Sequence, residues 1–267
     1  MQVWVLVIEL VMALPALALD NGLMRTPPMG WMSWERFRSN VHCVNDPKNC
    51  IRYFYRLAED GWKNLGYNYL IIDDCWSFIL RDNGGRLLLD MFRFSLGILK
   101  LARYIHDCGL KLGIYANLGT HMCFGFPDTT LDKIELHTQT FASWGVDMLK
   151  FDGCCSNMDE CQYDLWEYIC CFMLYPLVSK ALNATECPIA YSCSWPVYRG
   201  GLPPSVNYTL LGEICSLCRN YEDIKDSWDS VLRIVDWFFN NICNVLQGQA
   251  TGTTLTWSVC ISACLIV

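Results

Sequence analysis

The sequence has no apolar run of the roughly 20 residues that a membrane-crossing helix needs. The nearest, residues 169–178 and 259–267, are short, and the first contains Pro176. Cations are scarce: 20 Lys and Arg stand against 27 Asp and Glu, for a net charge of −7. No basic patch is present to neutralise phosphates, which argues against nucleic acid as a partner. No G-x-G-x-x-G or G-x-x-x-x-G-K-[ST] motif follows an early strand, so nucleotide-phosphate binding has no support. The G-x-S-x-G elbow of serine hydrolases is missing too. Only four histidines occur, at 42, 106, 121 and 137, without H-E-x-x-H or other metal spacing, so no metal is expected. Cys215-x-x-Cys218 has knuckle or redox spacing, but no second pair matches it. Charged residues make up only 18% against 53% hydrophobic, which excludes a disordered chain.

Cysteine, by contrast, is abundant. Seventeen in 267 residues suit an oxidising compartment, where they form disulfides. The number is odd, so at least one thiol is left over. Residues 1–18 carry an apolar core ending in Ala16-Leu17-Ala18, the small-x-small form of a signal-peptidase site, although Glu9 interrupts the core and no cation precedes it. Two sequons follow, Asn183-Ala184-Thr185 and Asn207-Tyr208-Thr209. Together these predict entry into the secretory pathway, with Asn183 and Asn207 glycosylated.

After position 18 a unit repeats: a short apolar run ends in a polar or acidic residue, and a helical stretch follows. The runs are residues 29–34, 69–72, 112–116, 148–151, 189–192 and 216–219. Helical patterns cover 97–108, 138–144 and 227–240. Short apolar strands alternating with helices predict βαβ units and a parallel sheet. Polar residues at several strand ends favour a barrel, whose chemistry lies at the C-terminal ends of its strands. A complete α/β barrel needs about 250 residues, so the length alone permits one.

Asp73-Asp74 and Asp152 each close an apolar run. A lone acid there also serves as a helix cap, but three acids at two strand ends point to a site. Lys150 lies two residues before Asp152, hence on the same side of its strand. A Lys inside a barrel needs an acidic partner. With Trp34, Trp76, Tyr115 and Trp195 nearby in the pattern, the set resembles a sugar site, in which charged groups bind hydroxyls and aromatic faces cover C–H faces. Two carboxylates across a glycosidic bond then act as acid and nucleophile.

Five ordered motifs carry a resemblance. They are Met29-Gly30-Trp31-Met32-Ser33-Trp34-Glu35-Arg36-Phe37, Ile72-Asp73-Asp74-Cys75-Trp76, Gly113-Ile114-Tyr115-Ala116, Lys150-Phe151-Asp152-Gly153-Cys154 and Arg219-Asn220-Tyr221-Glu222-Asp223-Ile224. Across about 19–241 the chain resembles glycoside hydrolase family 27. The resemblance implies a (β/α)8 TIM barrel followed by an antiparallel β domain, retaining hydrolysis without metal or cofactor, a glycan substrate, a lysosomal setting and a homodimer. It implies Asp152 as nucleophile and Asp223 as acid/base, with Trp34, Asp73, Asp74, Tyr115, Lys150, Tyr198 and Arg219 lining the pocket. Lys150 and Arg219 then favour the ionised form of Asp152. Ser194 and Val197 stand where family members distinguish a 2-acetamido sugar from plain galactose. Ser194 fits terminal α-linked N-acetylgalactosamine; Val197 is bulkier than the Ala expected beside it, so α-galactose stays open. An inactive chain that binds carbohydrate or a partner is a third reading.

The resemblance further implies disulfides Cys43–Cys50, Cys123–Cys154 and Cys193–Cys215, with Cys75 orphaned because Ser39 replaces its partner. The stretch between Cys50 and Gly61 is shorter than in the family, and residues 161–172 look inserted. About six of eight barrel strands are legible, and no C-terminal β domain. Residues 242–267 are expected to be foreign to the fold. Back-translated with permitted codons and read one base earlier, 245–257 can spell V-A-G-P-G-H-W-N-D-P-D-M, close to the family's next motif. An out-of-frame tail is therefore expected.

Overall fold

A computed structural model describes residues 22–24, 26–37, 56–94, 97–117, 119–153 and 174–247. The segment 1–18, Cys43, Cys50, Cys154, residues 161–172 and the end of the 242–267 tail lie outside the described residues.

Six parallel strands form one curled sheet: β1 (Met29–Met32), β2 (Tyr67–Ile72), β5 (Lys111–Asn117), β6 (Met148–Asp152), β7 (Ala190–Cys193) and β8 (Leu217–Cys218). Their spatial order is β1-β2-β5-β6-β7-β8, so each new parallel strand joins the edge left by the one before. This is a half-barrel, as a partial (β/α)8 fold requires. Between β2 and β5 an antiparallel hairpin intervenes, β3 (Ser77–Arg81) and β4 (Leu87–Leu89). Its turn is held by Asp82, whose Oδ1 accepts from the Gly84 and Arg86 amides at 2.8 Å each.

Helices cover the outside: α1 (Ser33–Phe37), α2 (Ile98–Asp107), α3 (Ile134–Ser143), α4 (Tyr175–Asn183), α5 (Trp195–Tyr198), α6 (Tyr208–Ile214) and α7 (Trp228–Gln247). In α2 the buried residues are Ile98, Leu101, Ala102 and Ile105, the i, i+3, i+4, i+7 spacing of one apolar stripe. Such stripes close the main core against the outer sheet face, where Leu70, Leu112, Ile114, Leu149 and Tyr191 sit. A second, smaller cluster occupies the inner face: Met32, Tyr69, Ile71, Met148, Ala190 and Leu217. Alternation along each strand splits side chains between these two layers. The inner series continues upward from Met148 through Lys150 to Asp152, so the strand pleat itself delivers charge to the C-terminal rim.

Three sequence expectations shift. The first strand ends at Met32 rather than 34, because α1 begins at Ser33. The helix expected at 138–144 starts earlier, at Ile134. The last helix runs to Gln247, so the boundary placed at 241/242 falls inside α7.

Candidate active site

Strand register sets the site. Asn117 of β5 pairs with Asp152 of β6, Phe151 with Cys193 of β7, and Cys193 with Cys218 of β8. The next residues along, Ser194 and Arg219, therefore join Asp152 at one end of the sheet. Asp73 and Asp74 follow β2 at the same end.

Asp152 is buried and densely held. Its Oδ1 accepts from the Tyr198 hydroxyl at 2.6 Å and the Gly153 amide at 2.9 Å, and lies 3.7 Å from the Arg219 guanidinium. Its Oδ2 accepts from the Tyr115 hydroxyl at 3.1 Å. Burial pushes the carboxyl pKa up, but Arg219, Lys150 and these donors outweigh it, and the group sits below its ordinary value. Burial also raises Tyr115 and Tyr198, aided by the Asp152 charge, so both phenols stay protonated as donors.

Lys150 donates to Asp73 Oδ2 at 2.7 Å and lies 5.5 Å from the Tyr115 ring centre. Burial lowers its pKa; Asp73 and Asp152 raise it more, so the ammonium stays charged. Asp73 is positioned from below, its amide donating to Ser33 Oγ at 2.8 Å. Asp74 accepts from the amides of Cys75 at 2.5 Å and Phe124 at 3.2 Å. Burial lifts the Asp74 carboxyl to about 6, with the Asp73 charge adding to it. Arg219 reaches Tyr198 Oη at 3.3 Å and also contacts the Asp223 carboxylate, so one cation touches both expected catalytic acids.

Beside this network opens a small cleft, lined among others by Glu35, Lys150, Ser192, Ser194, Arg219 and Asp223. The Ser194 hydroxyl is buried and has no hydrogen-bond partner among the described residues. Val197 does not line the cleft; its amide donates to the Arg219 carbonyl at 3.1 Å, tying α5 to β8.

The expected residues thus converge: Asp73, Lys150, Tyr115, Asp152, Tyr198, Arg219 and Asp223 form one connected chain of contacts. Trp34 joins through Phe124, whose ring centre is 5.6 Å away and whose amide binds Asp74. Two aromatic expectations fail. Trp76 is 1% exposed, donates to the Tyr115 carbonyl at 2.7 Å and packs edge-on against Phe141 and Trp144. Trp195 is equally buried in the main core. Neither offers a face to a sugar, because both rings lie on the helix side of the sheet. Ser33, Gly153 and Phe124 were not singled out in the sequence. Gly153 has a readable reason: a Cβ there would lie 2.9 Å from Tyr175 Oη and 3.1 Å from the Tyr198 ring.

Cys193 and Cys215 form the expected disulfide, which removes Cys215 from any thiolate pair with Cys218. Cys123 is also disulfide-bonded, while its expected partner, Cys154, lies outside the described residues. Cys75 carries a free, buried thiol, pushed up to about 12 by burial and the Asp74 charge. Asn183 and Asn207 are both exposed. Asn207 caps α6 by accepting from the Leu210 amide through Oδ1, which leaves its Nδ2 for a glycan.

A sequence model of the family described as Alpha galactosidase A matches residues 26–258. The chain is 58% identical over 229 residues to alpha-N-acetylgalactosaminidase of Gallus gallus, covering 84% of this chain and 54% of that protein. It is 57% identical to the Homo sapiens protein of the same name, covering 83% and 53%. To Alpha-galactosidase A of Homo sapiens it is 47% identical, covering 83% and 51%. The chain spans about half the length of the curated relatives it matches. Among solved structures, alpha-galactosidase I of Mortierella vinacea superposes with a TM-score of 0.61 at 33% identity, covering 77% of this chain and 48% of that one. A Bacteroides fragilis protein described as a putative alpha-galactosidase gives 0.68 at 29%, covering 85% and 46%.

Proposed function

Since the chain belongs to the alpha-galactosidase A family, glycoside hydrolase family 27, we propose that its site performs retaining hydrolysis of a terminal α-linked N-acetylgalactosamine on a glycan. The observation that carries this reading is the setting of Asp152, an ionised carboxylate buried among oriented donors at the strand ends. Its Oδ1 is occupied by the Gly153 amide and Tyr198. Oδ2 takes the Tyr115 hydroxyl and is the oxygen with more lone-pair capacity to spare. Oδ2 attacks the anomeric carbon while Asp223 gives its proton to the departing oxygen. Asp223 then takes a proton from water, which cleaves the glycosyl ester and restores the original anomeric configuration. Asp73, Asp74 and Lys150 hold sugar hydroxyls, and the family resemblance supports each of these roles.

The unpartnered Ser194 hydroxyl in the cleft favours the acetamido sugar, since a buried hydroxyl gains most from a ligand that supplies its missing bond. The 58% identity to an alpha-N-acetylgalactosaminidase supports the same choice. Passage through the secretory pathway to the lysosome completes the reading, supported by the Cys193–Cys215 disulfide and the exposed sequons. The test is turnover of nitrophenyl α-N-acetylgalactosaminide beside the α-galactoside, with covalent trapping by a 2-fluoro glycoside. Mass tagging of the peptide containing Asp152 is the expected result. A labelled peptide that lacks Asp152 overturns the assignment.

A further inference from the structure

The loop after β5 presents one residue that the sugar-site assignments leave unused. Residues 119–130 fold back on themselves: Gly119 N donates to Thr129 O at 3.0 Å, Asp128 N to Thr120 O at 3.1 Å and Met122 N to Phe126 O at 2.7 Å. Asp128 is fully buried, its carboxylate accepting the amides of Asn117 and Thr129. Asn117 Nδ2 adds a bond to the His121 carbonyl at 3.0 Å. A turn closes the tip, with Gly125 N donating to Met122 O at 2.9 Å and Gly125 at φ +83°, where side chains are rarely tolerated.

Within this tight loop the apolar residues point different ways. Met122 is fully buried, and Phe126 packs against the main core with Arg93 over its ring. Phe124 stands out at the tip, 47% exposed. Its backbone is nonetheless fixed to the site, because its amide binds Asp74 and the neighbouring Cys123 sulfur lies 2.9 Å from the Tyr115 hydroxyl. Its ring tilts against Trp34 at 52°. Apart from this contact with Trp34, about half of the Phe124 surface is left open to solvent beside the acid expected to bind sugar, on a loop whose backbone is tied down.

We infer that Phe124 contacts the bound glycoside and, with Trp34, supplies an apolar face at the rim of the pocket. The inference rests on the sugar-site reading above and deepens it by naming a further binding residue. An apolar face of the ligand has two sources, the C–H face of the sugar ring or the group carried on its anomeric oxygen. The ring acts on binding and leaves the bond-breaking groups untouched.

The experiment compares the unsubstituted chain with Phe124→Ala, Phe124→Tyr and Phe126→Ala. Readouts are calorimetric affinity for free N-acetylgalactosamine, KM and kcat for the methyl and nitrophenyl glycosides, and the thermal midpoint. Phe124→Ala is expected to weaken binding roughly 3- to 10-fold, the range for loss of one aromatic contact, with kcat and midpoint unchanged. Phe124→Tyr keeps the ring and restores affinity. If the sugar face is the source, free-sugar affinity falls and both KM values rise together. If the leaving group is the source, only the nitrophenyl KM rises. Phe126→Ala instead lowers the midpoint, as a packing residue does. Unchanged affinity and KM in Phe124→Ala overturn the inference alone. No binding or turnover by the unsubstituted chain overturns the sugar-site reading, and this inference with it.

Discussion

Asp152 and Asp223 share one guanidinium and little else. The Asp152 side chain is 8% exposed, sits at the end of a five-residue strand paired on both sides, and is met by two phenols and an amide. The Asp223 side chain is 40% exposed, follows a two-residue strand paired on one side only among the described residues, and contacts Arg219. The difference suits the two roles proposed for these acids. A nucleophile must be held rigidly and kept ionised, which takes oriented donors. A group that gives and then takes a proton needs reach and access to water. Accordingly β6 lies inside the sheet, and β8 forms its edge among the described residues.

The largest expected effect comes from removing either acid. Asp152→Asn should lower kcat on order of 10³-fold or more whatever the leaving group. Asp223→Asn should cost about 10²- to 10⁴-fold with a poor leaving group and much less in bond cleavage with nitrophenolate, which departs without a proton. Equal losses across leaving groups would erase the contrast between the two acids. Next comes the support beneath Asp152. Lys150→Met strands Asp73 as an unpaired buried charge and should cost about 3–5 kcal/mol in urea unfolding.

On the other side, the Cys193–Cys215 bond ties β7 to the approach to β8 across a separation of 22 residues. Replacing both by Ala should cost about 3 kcal/mol. Hydrogen exchange should rise first at residues 215–223 and last in β5 and β6. A uniform rise would mean that the two sides do not differ in local stability. Tyr198→Phe is milder, at about 1.5–3 kcal/mol for a lost bond to a charged group. It should also move the acidic limb of the kcat/KM profile upward, because Asp152 loses a donor that favours its ionised form.

The smallest net effect is in stability against pH, where two buried groups oppose each other. Burial holds the Asp74 carboxyl up to about 6 in the fold, against 3.8 for an ordinary aspartate, so the native state holds the extra proton between those limits and stability falls as pH rises through them. His137 is driven down by burial to about 4 from 6.5, so the unfolded state holds the extra proton and stability rises over nearly the same range. Each is worth about 3 kcal/mol. Relative to the parent, Asp74→Asn should therefore add a rising slope between pH 4 and 6, and His137→Gln a falling one, in denaturant midpoints. Parallel curves for all three proteins would refute both assignments.

Much of this was legible in the chain. The six parallel strands follow from apolar runs closed by polar residues, and the position of Lys150 beside Asp152 follows from strand alternation. The β3–β4 hairpin interrupts the strand–helix alternation, and its one sequence signal is the turn Asp82-Asn83-Gly84-Gly85 between two short apolar runs. Trp76 and Trp195 were misplaced because composition says that a ring is near a strand end, not which face of the sheet it takes. Phe124 could not be found by pattern at all. Its importance arises from a turn that turns Met122 inward and Phe124 outward, and that alternation is set by hydrogen bonds between residues far apart in the loop.

The bare Cα of Gly153 gives the Asp152 site a particular mutational fragility. Tyr198 reaches the carboxylate because nothing stands beside it at position 153. Even the smallest side chain would crowd Tyr175 Oη at 2.9 Å and the Tyr198 ring at 3.1 Å, so both must shift while every charged residue stays in the sequence. A survey of tolerated changes in this region should therefore find position 153 restricted, though the glycine offers no functional side chain. The proposed activity would rest there on an absence, which no inventory of functional groups would flag.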